Sequence, residues 1–173
     1  MHLKRLRTSG DAWYAKAMAL YEISFPPHEQ RRAASQAAVM ERGEYAFYLI
    51  FDGDTMVGIL LCWEAARFIY VEHFCISPAL RNRKYGQRAL ELLHRQGKPV
   101  ILEIDPPVDE VSAHRKAFYE RAGYCANDFE HIHPPYLRGR AGHRLVVMSR
   151  PARLTRAEYD VFYRYLCETV MRA

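Results

Sequence analysis

Two rhythms of apolar residues run along the chain. The runs EYAFYLIF, TMVGILLCW and PVILEID are short and nearly unbroken, which suits buried strands, whereas DAWYAKAMALYEI and VSAHRKAFYERAG repeat apolar positions at helical spacing. Residues 2–7 alternate weakly as a first strand. Ser9 and Asp11 offer caps for the first helix, FPPHEQRR interrupts it, and a second helix is expected from a Ser35 cap to just before Gly43. Asp52-Gly53-Asp54 between two apolar runs signals a hairpin. A third strand, RFIYVEHFCIS, leads into a helix, and PVILEID beyond that helix needs a crossover to pair in parallel.

The second half continues in the same alternation. VSAHRKAFYERAG places Val111, Ala117, Phe118 and Ala122 at helical intervals, and Gly123 stands where a left-handed residue stops the helix. YCANDFEHIH and HRLVVMS read as a terminal hairpin. The last segment carries a capping box in Thr155 and Glu158, a Leu154 to Tyr159 staple, and a stripe of Tyr159, Phe162, Leu166 and Val170. Antiparallel strands, a crossover and intervening helices imply an α/β domain: one mixed sheet with helices on both faces.

Composition narrows the class without deciding it. At 173 residues and 50% hydrophobic content, one domain spanning 1–173 can build its own core, with 154–173 as a C-terminal helix. The formal charge of +5 favours anionic partners, yet acidic and basic residues are intermixed, so a nucleic-acid stripe is not evident. Cys62, Cys75, Cys125 and Cys167 are widely spaced and sit in apolar contexts, and MHLKRLRTSG lacks a signal-peptide core; both read as a reducing, cytoplasmic setting. No run approaches the roughly 18 apolar residues of a membrane span.

The densest chemistry lies in SPALRNRKYGQRALELL. Helix amides in the first turn lack internal partners and the helix dipole is positive there, so the backbone from Arg81 to Gln87 can wrap a phosphate pair. Gly86 allows close approach, and Arg81, Arg83 and Lys84 add charge. Neither G-x-x-x-x-G-K-[ST] nor G-x-G-x-x-G is present, which disfavours a nucleoside triphosphate or a dinucleotide. Arg81-Asn82-Arg83-Lys84-Tyr85-Gly86 instead resembles the pyrophosphate-binding turn of the GNAT superfamily of acyl-coenzyme A N-acyltransferases, with Asn82 and Lys84 standing where that family often has glycine. FCISP before the turn, LEID after it and FYERAGY further on resemble the family in the same order.

That resemblance implies a mostly antiparallel sheet of about seven strands with a central splay, an extra C-terminal helix, and acetyl-CoA as acyl donor. The implied reaction is direct attack of a primary amine on the thioester in a ternary complex. Such chemistry needs a base for the amine, a donor for the carbonyl oxygen and a proton for the departing thiolate. Glu103 in VILEID is the first candidate base and Glu72 the second; Tyr119 is matched to the tyrosine that protonates the thiolate. Coenzyme contacts map onto Phe74, Cys75 and Ile76, onto Arg81, Asn82, Arg83, Lys84, Tyr85, Gly86 and Gln87, and onto Ser112 and Tyr119. Strand alternation, if no bulge intervenes, puts Tyr70, Glu72, Phe74 and Ile76 on one face and Val71, His73 and Cys75 on the other.

For the acceptor, Phe25 and Glu29 in the loop after the first helix, Tyr70, and His133 and Tyr136 in the closing hairpin are the expected lining, with Glu29 suited to a cationic group. His131 and His133 begin a metal-like pattern that no third ligand completes, so no metal is expected. Arg138, Arg140, His143 and Arg144 suggest a basic rim. The expected acceptor is a small-molecule or peptide amine, with no nucleic-acid or membrane partner; a homodimer is compatible with the sequence. A coenzyme-binding module without turnover and a basic nucleic-acid-binding domain are the competing classes.

Overall fold

The Asp52-Gly53-Asp54 turn closes as its residue types require. Gly53 takes φ 58°, Asp52 pairs with Thr55, and strands β2 (Tyr45–Asp52) and β3 (Thr55–Glu64) run antiparallel from that point. β1 (His2–Leu6) adds antiparallel to β2, and β4 (Ile69–Ile76) to β3, so the first unit orders its strands β1-β2-β3-β4. Nearly every residue of β2 and β3 is buried, which explains runs without alternation. These coordinates come from a computed structural model that describes residues 1–136, 139 and 141–173. Two compact units make up the chain, Met1–Lys98 and Pro99–Ala173.

In the first unit, α1 (Tyr14–Ser24) buries Ala17, Leu20 and Tyr21. Asp11 accepts from the Trp13 N–H at 2.8 Å ahead of the helix, and no side chain caps the helix itself. α2 spans Ala33–Val39, preceded by Arg32 in an extended conformation. The expected Ser35 cap therefore falls inside the helix. Gln36, buried, donates to the Tyr45 hydroxyl at 2.9 Å and sets where α2 meets β2. A 3₁₀ turn at Pro78–Leu80 leads to α3 (Tyr85–His94), whose Ala89, Leu90 and Leu93 face the core.

The register of β4 corrects one expectation. Leu61 pairs with His73 and Cys62 with Val71, so Glu72 is the extra residue of a β-bulge. The bulge resets alternation: Tyr70 shares the face of His73 and Cys75, through the partners Trp63, Leu61 and Ile59, while Phe74 and Ile76 lie opposite. Tyr70, Glu72, Phe74 and Ile76 thus do not form one face. Further along the same pair, a Cβ on Gly58 would lie 2.4 Å from the Cys75 carbonyl oxygen, so only glycine permits this approach.

In the second unit, β5 (Val100–Ile104) precedes α4 (Glu110–Arg121), which starts from a reciprocal cap between Asp109 and Ser112. Gly123, at φ 86°, ends it as its position suggested. β6 (Cys125–Ala126) and β5 both pair antiparallel with a later strand, Val146–Arg150, while β7 (Ile132–His133) pairs with β8 (His143–Arg144) and β9 is that Val146–Arg150 strand. The expected terminal hairpin is therefore split in two. Asn127 divides it: its side-chain amide donates to Val147 O and Ser149 Oγ, and its Oδ1 accepts from Leu154 N at 2.7 Å. α5 (Arg156–Tyr165) opens with the Thr155–Glu158 capping box, continues into a π-helical turn at Leu166–Val170, and buries Tyr159, Phe162, Leu166 and Val170. Every strand pairing within each unit is antiparallel, and the fold is mixed α/β with seven strands beside the small β7–β8 ribbon.

Candidate active site

The turn before α3 has an unusual backbone. Asn82 and Lys84 take φ 62° and 60°, the left-handed region that glycine enters freely and that costs other residues roughly 1–2 kcal/mol each. They stand at the two positions where the GNAT turn often carries glycine, and their backbone adopts the shape glycine would give. Lys84 is also the residue preceding α3, and no side chain caps the first amides of that helix. Arg81, Asn82, Arg83, Lys84 and Gln87 are exposed, with Tyr85 and Gly86 half-buried. A left-handed turn, uncapped amides and exposed guanidinium and ammonium groups suit a diphosphate, so the residues present fit coenzyme A.

Glu72 sits in the bulge of β4 and is saturated with donors. Its side chain has no solvent exposure; Oε1 accepts from Arg31 Nε and Nη2, each at 2.9 Å, and Oε2 from the Trp63 indole N–H at 2.8 Å. The Arg31 guanidinium lies over the Trp63 ring, 5.6 Å from its centroid. The Arg31 amide donates to the Tyr21 hydroxyl at 3.0 Å, so α1, its following loop and β4 are tied together. Burial pushes the Tyr21 hydroxyl well above the ordinary tyrosine range. Sequence reasoning missed Arg31; a buried strand glutamate that needs a cation was the signal that pointed to it.

The acceptor-side loop of this unit is fixed to β4 through His73. His73 Nε2 lies 2.9 Å from the Glu29 carbonyl, and Phe25 packs edge-on to its ring at 4.7 Å. The Glu29 carboxylate is 40% exposed and lies 3.6 Å from His28. Tyr70 is buried to 1% exposure, so its ring belongs to the core and offers no open acceptor surface. Phe74, Cys75 and Ile76 are half-buried and paired in register with Leu60, Ile59 and Gly58. Burial raises the Cys75 thiol above its usual range, against a hydrogen bond with Ser24.

Glu103, on β5, has a different environment. Its side chain is 4% exposed; Oε1 is hydrogen-bonded by His131 Nε2, and Oε2 lies 3.7 Å from His133 Nε2. His131 Nδ1 is 3.0 Å from the Tyr159 hydroxyl of α5. Tyr136 packs against the His133 ring at 5.3 Å. The sequence weighed His131 as a metal ligand or as pocket lining and did not connect it to Glu103. Among the described residues no group of three or more His, Cys, Asp or Glu is arranged to hold a metal ion. Of the expected basic rim, His143 and Arg144 form β8, and Arg138 and Arg140 lie outside the described residues.

Tyr119, on α4, is 9% exposed and edge-on to Phe118 and Tyr124, at 5.0 and 5.6 Å. Burial, with the Tyr119 hydroxyl adding to it, holds Tyr124 far above the ordinary tyrosine range. Ser112 is buried and its hydroxyl serves the α4 cap, receiving the Asp109 N–H at 3.1 Å and donating to Asp109 Oδ1 at 2.7 Å. One lone pair of that oxygen is left for any coenzyme contact.

Comparison with known proteins places these features in a family. The model of the acetyltransferase (GNAT) family matches residues 11–124, about two thirds of the chain. A solved chain from Bacteroides thetaiotaomicron, assigned to the GNAT family of acetyltransferases, is 31% identical, with a TM-score of 0.93 over 100% of this chain and 99% of that one. YjbC of Bacillus subtilis (strain 168), assigned as an acetyltransferase, is 27% identical over 63% of this chain, and the match spans only 54% of that relative's length. An aminoglycoside 6'-N-acetyltransferase solved with coenzyme A shares the fold at 15% identity and a TM-score of 0.64, covering 87% of this chain and 96% of its own. The chain belongs to the GNAT family of acetyltransferases, enzymes that carry out N-acetylation with acetyl-CoA as the acyl donor.

Proposed function

We propose that this chain transfers an acetyl group to a primary amine by direct attack, with Glu103 accepting the amine proton and Tyr119 protonating the departing thiolate. One observation carries the choice of base. Glu103 is buried against two imidazoles, whereas Glu72 is neutralised by a guanidinium that never deprotonates in a protein. A carboxylate that must change protonation state during turnover is better served by the first setting. Glu72 then positions Arg31 and the loop after α1.

The turn from Arg81 to Gln87 holds the diphosphate, through the first amides of α3 and the charges of Arg81, Arg83 and Lys84. Bound acetyl-CoA supplies an activated thioester, open to nucleophilic attack and carrying a thiolate leaving group. Backbone N–H groups of Phe74, Cys75 and Ile76 steady the pantetheine arm and the thioester carbonyl. Phe25, Glu29, His133 and Tyr136 are the candidate contacts for the amine substrate. The competing reading, a coenzyme-binding module without turnover, drew on side chains in place of glycine within the turn. Their left-handed backbone weakens that objection.

Calorimetric titration with acetyl-CoA, paired with thiol release over an amine panel, tests the reading. The panel holds an aminoglycoside, spermidine, a peptide with an alanine N-terminus and a lysine peptide. Gly86→Val is expected to abolish coenzyme binding by steric clash, and Tyr119→Phe to slow turnover at least about tenfold with binding intact. Equal loss of binding in both variants, or tight binding with no turnover on any amine, overturns it.

A further inference from the structure

Gly58 lies where two irregularities of the sheet meet. Against β2, Ile50 pairs with Gly58 and Phe51 with Met56, so Val57 is the extra residue of a bulge in β3. Against β4, Gly58 faces Ile76 at the end of the ladder, and the Val57 carbonyl accepts from the Ser77 N–H at 2.9 Å just beyond it. Ser77 is therefore a joint. Its own carbonyl accepts from the Leu80 N–H at 2.8 Å within the 3₁₀ turn at Pro78–Leu80, and the left-handed residues Asn82 and Lys84 follow before α3.

Gly58 does not take the left-handed backbone that glycine favours, so freedom of conformation is not what this position uses. Space is. A Cβ there would overlap the Cys75 carbonyl oxygen and stand 2.9 Å from Ile76 Cδ1 and 3.2 Å from Ile50 Cδ1. The isoleucine ends can turn aside, but a backbone carbonyl can give way only if its strand moves. A C···O contact between strands is ordinarily about 3.3–3.6 Å, so a side chain at this position displaces the backbone at Cys75 by about 1 Å.

We propose that Gly58 is a positioning residue for the coenzyme, setting the spacing between the β4 backbone that takes the thioester arm and the turn that takes the diphosphate. The inference rests on the β4 amides and the turn from Arg81 to Gln87 both holding acetyl-CoA. Pantetheine and diphosphate are joined covalently, so both reach their partners only when the two segments stand at a matching separation. Close seating of β4 on Gly58 sets that separation in advance, through Ser77 and the 3₁₀ turn, and the binding step then has less to order. The sequence carries the mark of it. An isolated glycine inside the apolar run TMVGILLCW signals a bulge or a close backbone approach, and here it stands at both.

The test compares the whole coenzyme with one half of it, by calorimetric titration of the full chain. Acetyl-CoA engages both segments; adenosine 3′-phosphate 5′-diphosphate carries the diphosphate without the pantetheine arm. Gly58→Ala should weaken acetyl-CoA binding at least about tenfold, because a ligand held at both ends feels a displacement near 1 Å, and should leave the Kd of the fragment within about twofold. A purely structural loss would move both together. Equal weakening of the two ligands, or an unchanged Kd for acetyl-CoA, overturns the inference. Amide hydrogen exchange on the parent chain gives a second reading that stands even if Gly58→Ala does not fold. The Ser77 amide should already be protected in the free chain. Exchange there at the rate of an open loop, with protection only in the presence of acetyl-CoA, would mean that the coenzyme rather than Gly58 closes the strand end, and would overturn the inference. No acetyl-CoA binding by the parent chain would remove the reading beneath the proposal, whereas tight binding that Gly58→Ala leaves untouched would sink this inference alone.

Discussion

Glu72 and Glu103 present one side chain in two settings. Both lie on strands and both are almost wholly withdrawn from solvent, at 0% and 4% side-chain exposure, yet their partners differ in kind. Glu72 faces a guanidinium and an indole N–H, donors whose charge state is fixed at every accessible pH. Glu103 faces the imidazole nitrogens of His131 and His133, which carry no obligatory charge. Burial alone does not separate a structural carboxylate from a reactive one. Whether the partner's charge is fixed does.

The strongest way to break this contrast is to remove the fixed charge. Arg31→Ala leaves the Glu72 carboxylate buried without its cation, and loss of one member of such a pair costs about 3–5 kcal/mol. For a chain of this size that lowers Tm by about 10 °C, readable by calorimetry. Adding Glu72→Gln should recover part of the loss, since the stranded charge is then gone. A stable Arg31→Ala single variant would mean that Glu72 is protonated in the fold, and the two carboxylates would be alike after all.

Glu103→Gln probes the other side. Turnover near neutral pH should fall about 100-fold, the lower range for a lost general base, while coenzyme affinity holds. Calorimetric Kd and steady-state kcat separate the two effects. Full activity would shift proton removal to water or to Glu72, and the distinction between the carboxylates would lose its functional meaning.

What was legible beforehand was local. Gly53, Gly123 and the Thr155–Glu158 box act within a few residues of themselves, so each turn, stop and cap could be read from the chain. The helix boundary at Ser35 failed because no local bond distinguishes it; Gln36 reaching Tyr45 decides the packing there. The face assignment of β4 failed because a bulge is a property of two strands, visible only when Leu61 and Cys62 are set against His73 and Val71. The partners of both carboxylates were hidden for the same reason. Arg31 is 41 residues from Glu72, and His131 is 28 from Glu103. Oxygen-to-donor geometry at such separations leaves no periodicity to read.

A smaller change sharpens the contrast further. Trp63→Phe keeps Arg31 and the aromatic face beneath it but removes the N–H aimed at Glu72 Oε2. A hydrogen bond to a charged group contributes about 1.5–3 kcal/mol, so the variant should lose about 2 kcal/mol of stability, less than Arg31→Ala because the ion pair survives. Its pH–rate profile should overlay that of the parent chain, since nothing around Glu103 has changed in kind. Denaturant unfolding and a pH–rate series on one protein preparation give both readings. A displaced acid limb in Trp63→Phe would show that Glu72 participates in proton transfer, and the fixed donors around it would then be tuning a reactive group rather than securing a structural one.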